Sequence, residues 1–540
     1  MLLTLCQRAY RQYMAVLDTP RVHPTATAQV AWRSLGVIIG ATAVLLLLTN
    51  GRYGYFGDEL YFVAAGHHPA WGYADQPSLV PMLAGLMDAI APGSVWWLRL
   101  PATIATCVAI ALAGLLAAEL GGNRRAQVLT AVATAISTLE WSHFLYTSTF
   151  DIPVWTAITL LLVRWVRTRQ DRLLLWSGLL TAVSLQIKFL IPGFWVVLGL
   201  SALLLGPRDL LRRPMLWIGA AIAVALTVPS LLWQWQWNLP QVAMTAVIGE
   251  ENDAGGGRWL FPAGILFSAG LLAGLVLFGY GVYVLLRSPL LRDYRFLGAS
   301  VLAFTVLMVI TNGRPYYLMG LFPLCFAAGT VALQHRAAAR WWGWTVSATS
   351  FALCGLVMVA ANLPLRPESW LPRSTSGAET LYQLPVYGQL DWEQVAASTG
   401  EAYQHLPVRI RERTAVMADS FWSIGALDTL GPEHGLPDEV YGGHRGAWYF
   451  GAPPESATAV LYLGDDNRVL RDGFDSATQV GTVRAPQSLY DGAPIFLYQG
   501  REKSWDSLWP QLRTLSWRDG TSTCFGVRKL DPAGCTPITR

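Results

Sequence analysis

Residues 54–81, GYFGDELYFVAAGHHPAWGYADQPSLVP, follow directly on the first long apolar run of the chain, 34–50. They set three carboxylates (Asp58, Glu59, Asp75), two histidines (His67, His68) and many aromatics where a first transmembrane helix would leave the bilayer. A solvated linker at that point is built of Ser, Lys and Glu, whereas this one is built of aromatics and glycines. The composition predicts a loop carrying an active site at a membrane surface.

The rest of the chain supplies the membrane. Of its 540 residues 53% are hydrophobic and only 14% charged, with 24 Trp, where a soluble domain carries about 25% charged residues. The net charge of +4 is modest, and the basic residues fall in short clusters between apolar runs. That is a membrane-topology pattern and not the continuous basic stripe that nucleic acid needs, so nucleic acid is excluded as a partner. Arg8, Arg11, Arg21 and Arg33 are spread along the lead before the first apolar run, which is not the pattern of a cleavable signal.

A bilayer core takes about 20 apolar residues per helix. Runs of that order lie near 34–50, 96–119, 126–147, 152–167, 214–233, 260–286, 296–311, 316–334 and 341–362. The stretch 173–206 is too long for one span and is interrupted near Lys188, Pro192 and Gly193, which predicts two short helices with a turn and about eleven spans in all. With the amino terminus in the cytoplasm, the inner loops hold Arg124 and Arg125, then Arg164 to Arg172, Arg208 to Arg213, Arg287 to Arg295, and Arg336 with Arg340. Lys and Arg therefore collect in alternate loops, as the positive-inside rule demands. The outer loops keep the single cations Arg52, Lys188, Arg258 and Arg314 and an acidic group, Glu250, Glu251 and Asp253.

Near Leu363 the composition turns soluble. Short β-prone segments such as ATAVLYLG (457–464) and PIFLYQG (494–500) are separated by Gly, Pro and Asp turns. The expectation is a transmembrane domain over 1–362 and a small extracytoplasmic α/β or α+β domain over 363–540, resting on the outer face. Cys524 and Cys535 in this tail are a candidate disulfide outside the cytoplasm, while Cys6, Cys107, Cys325 and Cys354 lie in or beside apolar segments.

Several side chains stand out chemically. Asp58 and Glu59 are either solvated acids beyond a helix end or a base with a neighbour that tunes it or binds a metal. His67, His68, Asp75 and Gln76, with Tyr61 nearby, are substrate contacts, metal ligands or turn residues. Asp151, in HFLYTSTFDIPVW, is a helix N-cap with Pro153 in the first turn, a site acid close to hydrocarbon, or both. Lys188 either snorkels or faces an anion. Arg258 is a weaker candidate, and Arg314 with Tyr316 and Tyr317 forms an anion-binding group.

These residues resemble a known family. GDELYFVAAG with GYADQPSLVP, TFDIPVW, PSLLWQWQWNLP and GRPYYLMGLFP, followed by GALDTLGPEHGLPDEVYGGHRGAWYFGAPP and WPQLRTL, resemble the GT-C superfamily of integral-membrane glycosyltransferases. The likeness is to the bacterial branch similar to protein O-mannosyltransferases and lipid A aminoarabinose transferases, and it runs from about residue 54 to 515. The resemblance implies transfer of a sugar, with inversion, from a polyprenyl-phosphate carrier to a glycan, lipid or protein acceptor at the outer face of the bacterial inner membrane. It casts Asp58 as general base beside Glu59, Asp151 as the second-loop acid, and Arg314, Tyr316, Tyr317 and Lys188 as ligands of the lipid phosphate. Tyr61, Asp75, Gln76, His67 and Arg258 remain substrate-binding candidates, and a divalent metal at Asp58, Glu59 and Asp151 stays open. A transporter or flippase of a lipid-linked saccharide is the competing class. The lack of an internal inverted repeat argues against it.

Overall fold

The computed structural model describes residues 27–254, 256–371 and 384–516. Cys6, Cys524 and Cys535, and with the last two the expected disulfide, lie outside the described residues.

The chain is mainly helical, and helices occur at each apolar run. Among the described residues, six of them are long and apolar enough to cross a bilayer: Trp32–Thr49, Val95–Glu119, Thr147–Thr168, Pro214–Gln236, Pro289–Ile310 and Pro315–His335. A seventh candidate is the pair Gly257–Ser268 and Leu271–Arg287, bent by 102° at the break. The expected count of about eleven is therefore not reached by length. Arg172–Ile187, Ile191–Leu205 and Ala348–Asn362 are shorter apolar helices, and the 15 residues of Arg124–Thr138 extend only about 22 Å at 1.5 Å per residue. The break near Lys188 is where the sequence places it, between Arg172–Ile187 and Ile191–Leu205. Its reason is local: Lys188 is extended, at φ −160° and ψ 136°, and Pro192 opens the next helix.

The two ends of the bundle differ in charge. The helix Leu100–Glu119 has 20 residues and so spans about 30 Å. Beyond its far end Glu119 binds Arg164 at 3.0 Å and Arg167 at 2.6 Å, and nearby Asp209 binds Arg169 and Arg213. At its start Arg99 turns into the other end, where the 54–81 segment lies.

That segment is not a surface loop. Gly57–His67 is a helix whose residues 57, 59–65 are buried, so its acids are carried inside the protein. One side of it meets Leu79–Ile90 and the bundle. The other side meets Phe421–Leu430, a helix of the carboxy-terminal part, and Leu60, Tyr61 and Val63 share one apolar core with Val416, Ile424 and Leu461. The carboxy-terminal part is thus built into the bundle end and does not merely rest on it.

Its sheet has five strands, β1 (Thr414–Ala418), β2 (Val440–Tyr441), β3 (Ala459–Leu463), β4 (Phe474–Thr482) and β5 (Pro494–Arg501), in the order β2-β1-β3-β5-β4. β1 runs parallel to both β2 and β3, and β5 runs antiparallel to β3 and β4. The fully buried, five-residue β1 and β3 lie in its middle. β1 leads directly into Phe421–Leu430, capped by Ser420, which accepts from the Ser423 amide. This β-to-helix step places Phe421 and Trp422 on the buried Gly57–His67 helix.

Candidate active site

Neighbouring residues on a helix point about 100° apart, and this separates Asp58 from Glu59. Glu59 is fully buried and closed off. Its carboxylate accepts from Arg99 Nη2 at 2.7 Å and Nε at 3.0 Å, from the Phe56 amide at 2.9 Å and from the Leu145 amide at 2.9 Å. Arg99 spends its remaining N–H groups on the carbonyls of Asn50 and Gly54, on His143 Nε2 and on Gln389 Oε1. A carboxylate so engaged has no lone pair for a substrate. Glu59 joins three chain segments and the carboxy-terminal part at one buried ion pair.

Asp58 is only partly buried, and its charged neighbours are Arg445, Arg314 and Asp75. Its Oδ1 accepts from the Trp422 indole at 2.5 Å, and Gly57 lies so close under the same indole that any side chain would collide with it. Burial pushes the Asp58 carboxyl up to about 6, against the Trp422 hydrogen bond and the guanidinium groups of Arg445 and Arg314, which pull it down. Across from it, Asp75 accepts from the Tyr61 hydroxyl at 2.8 Å, with Arg445 4.0 Å away. Burial raises the Asp75 carboxyl above its ordinary value despite Arg445 and Tyr61.

Arg445 is the residue that sequence reasoning missed. It holds a left-handed backbone at φ 52°, uncommon outside glycine, and its guanidinium lies 4.2 Å over the Phe421 ring. It binds Glu251 Oε1 while Arg314 binds Glu251 Oε2, so one carboxylate spans two arginines. The signal was faint: a lone Arg between glycines in GGHRGAW, about 390 residues from Asp58. Neighbouring His444 is held neutral, lowered to about 3 by burial and by Arg445.

The remaining candidates line the adjoining wall. Arg314 donates toward Tyr316, whose hydroxyl meets that of Tyr146 at 3.1 Å. Lys188 donates to Ser148 at 2.9 Å and points its ammonium at the ring of Tyr317, 4.7 Å away, with Tyr316 at 5.6 Å. Ser148, Asp151, Lys188, Tyr316 and Tyr317 line one narrow cleft. Asp151 is inside the helix Thr147–Thr168, whose N-cap is Tyr146, with Pro153 also interior. The N-cap reading is thereby corrected, and the acid lies within the cleft, accepting from Ser184 at 3.4 Å.

Other candidates are placed elsewhere. His67 bridges Asp88 at 3.1 Å and Asp428 at 3.4 Å, and these two carboxylates raise it to about 10 against its burial. His68 stacks on Phe450 at 4.5 Å. Both histidines therefore fasten the end of the Gly57–His67 helix to the carboxy-terminal part. Gln76 is buried, and its carbonyl accepts from the Tyr73 amide. Arg258 is exposed in the turn Gly257–Leu260, and no hydrogen bond or ion pair joins it to the cluster among the described residues. Nor do Asp58, Glu59 and Asp151 fit a metal centre: no three His, Cys, Asp or Glu converge on a metal position among the described residues, and Glu59 is consumed by Arg99.

A family profile described as dolichyl-phosphate-mannose-protein mannosyltransferase matches residues 75–233, the part that carries Asp75, Asp151 and Lys188. No curated protein matches the chain by sequence. Among solved structures the chain is similar to ArnT from Cupriavidus metallidurans bound to undecaprenyl phosphate, with a TM-score of 0.58 and 16% identity over 86% of this chain and 98% of that one. The same protein in the apo state matches with a TM-score of 0.57 and 14% identity over the same shares. The chain shares the fold of these structures, and its apolar helices make it a multi-pass membrane protein.

Proposed function

We propose that this GT-C chain is a glycosyltransferase that moves a sugar, with inversion, from a polyprenyl-phosphate carrier to an acceptor hydroxyl. The site would then open at the extracytoplasmic face of the bacterial inner membrane. The observation that carries this reading is the grouping of an acid with cations: the Asp58 carboxyl is pulled down by the nearby Arg445 and Arg314, and Arg314 and Lys188 lie against Tyr316 and Tyr317. The mannosyltransferase profile over residues 75–233 and the undecaprenyl phosphate bound by ArnT support the same donor class.

The chemistry follows from that grouping. The acceptor oxygen attacks the anomeric carbon and its proton passes to Asp58, while the bond from that carbon to the phosphate oxygen breaks. The carrier leaves as a phosphate monoester with one more negative charge, and the cations stabilise that charge as it develops. Asp58 is ionised in most molecules at neutral pH, since its carboxyl titrates at about 6. Tyr317 and Tyr316 supply hydroxyl donors to the phosphate, and Lys188 supplies a point charge. Asp151 shares the cleft with Lys188 and offsets its charge there. No step runs through a metal.

The test is transfer by purified protein in nanodiscs, fed lipid-linked sugars and envelope acceptors from the native membrane. Comparison of envelope glycans, lipids and glycoproteins from a deletion strain by mass spectrometry identifies the sugar and its attachment point. The expected result is one missing sugar, restored by the wild-type gene and not by Asp58→Asn. Full restoration by Asp58→Asn, at wild-type protein level, refutes the assignment of the base.

A further inference from the structure

Glu251 is a carboxylate in an unusual place. It lies on the helix Pro240–Ala254, its side chain is 8% exposed, and each of its oxygens is taken by a different arginine, Arg314 from the membrane bundle and Arg445 from the carboxy-terminal part. Two guanidinium forks facing one another across a single anion are the geometry that binds phosphate oxygens. Arg445 Nε is also buried without a hydrogen-bond partner, so a larger anion would find a donor that the carboxylate leaves idle. Among its described residues Pro240, Met244 and Val247 are buried, and the rest of the helix is held by polar links: Gln241 Nε2 donates to the Tyr73 carbonyl at 3.2 Å, and Asn312 Nδ2 donates to the Gly249 carbonyl at 3.0 Å and to Asp253 at 2.8 Å.

We infer that the notch between Arg314 and Arg445 is the seat of the donor's phosphate, and that Glu251 is a carboxylate placeholder which that phosphate displaces. This rests on the donor class proposed above. The charges are consistent with an exchange: a sugar phosphodiester carries one negative charge, as the carboxylate does, so the swap leaves the balance with Asp58 and Asp75 unchanged. Sugar transfer then turns the diester into a monoester dianion while Asp58 takes the acceptor's proton. The two arginines stabilise that added charge until the carrier dissociates and Glu251 returns. The carboxy-terminal part thereby contributes a substrate ligand, Arg445, to a site otherwise built by the bundle.

Binding of radiolabelled undecaprenyl phosphate to the full-length protein in detergent tests this, with undecaprenol and inorganic phosphate as competitors and thermal melting to confirm folding. Glu251→Gln, which keeps the shape and removes the competing charge, is expected to bind about tenfold tighter, since a masked site lowers apparent affinity by its open fraction. Arg445→Ala is expected to bind about tenfold weaker, and Arg445→Lys, which retains charge without the fork, to fall between. Loss of a nearby charge alone gives a gain that high salt abolishes, whereas a freed notch keeps its gain there, so binding is also measured at high salt and a gain lost in salt overturns the inference. Unchanged or weaker binding by Glu251→Gln, unchanged binding by both Arg445 variants, or undecaprenol competing as well as the phosphate overturns the inference. Binding that requires Arg314 yet ignores Glu251 and Arg445 overturns it alone. Failure of the wild-type protein to bind any polyprenyl phosphate overturns the donor class as well.

Discussion

Asp58 and Glu59 are adjacent acids with opposite assignments, and a matched pair of amide substitutions separates them. Glu59→Gln removes the charge from a site where Arg99 is 0% exposed, its guanidinium fixed by four other acceptors. The arginine stays charged and buried with its counter-ion gone, and the glutamine NH₂ faces donors on Arg99, Phe56 or Leu145 whichever way it turns. Breaking a buried pair by removing one partner costs about 3–5 kcal/mol, a large share of the roughly 5–15 kcal/mol that holds a typical fold together. Asp58→Asn is different in kind. The asparagine oxygen still accepts from the Trp422 indole, no arginine is stranded, and burial already raises the carboxyl it replaces to about 6. Its cost to stability is expected to be under about 1 kcal/mol, while loss of a general base lowers turnover about 10²–10⁴-fold. Tryptophan fluorescence melting in detergent, run beside the transfer assay, reads both quantities. A Glu59→Gln protein that melts with wild type, or an Asp58→Asn protein that melts well below it while its residual turnover stays near normal, would refute the division of labour between the two acids.

Other consequences follow from single contacts. If Asp58 must be ionised to act, turnover falls with unit slope below about pH 6 and is flat above it; a profile that keeps its acid limb in Asp58→Glu but moves it identifies the titrating group. His67 is raised to about 10 by Asp428 and Asp88, so its tie between the first helix and the carboxy-terminal part is in full force below the free imidazole value of about 6.5 and weakens as pH rises toward 10. Protection of the 421–430 amides, corrected for the intrinsic base catalysis of exchange, should therefore fall over that window in wild type and stay constant in His67→Phe. Gly57→Ala drives a methyl group into the Trp422 indole, which displaces the donor on Asp58; about 1–3 kcal/mol of stability and most of the activity should be lost together, and a second change, Trp422→Phe, should restore folding but not turnover.

The parts of this protein legible in its sequence are those set by neighbouring residues. An apolar run makes a helix wherever it is placed, a Pro and an extended Lys break one, and alternating β-prone segments make strands. For that reason the break at Lys188, the strands Ala459–Leu463 and Pro494–Arg501 and the arginine-rich end of the bundle all fall where local pattern puts them. The span count is not read off so directly, because crossing a bilayer depends on the length of the finished helix, and several apolar runs fold into helices of only 15 or 16 residues.

The site was half legible for the same reason. Motif chemistry singled out Asp58, Asp151, Lys188 and Arg314 as candidates, but which acid of a DE pair an arginine captures depends on the rotation of its helix, and that is fixed by partners far along the chain. Trp422 and Gly425 set the rotation from one side, since any side chain at 425 would collide with the backbone of Leu60 and Tyr61, and Arg99 sets it from the other by capturing Glu59. Histidines draw the eye as chemical residues, yet here the same rotation turns His67 and His68 to the outside of the helix, where they can only dock. Arg445 could not be read at all from spacing, because its value lies in meeting Arg314 across one carboxylate. That Arg314 and Arg445 share one carboxylate is a relation of the packed structure, of the bundle and the sheet together.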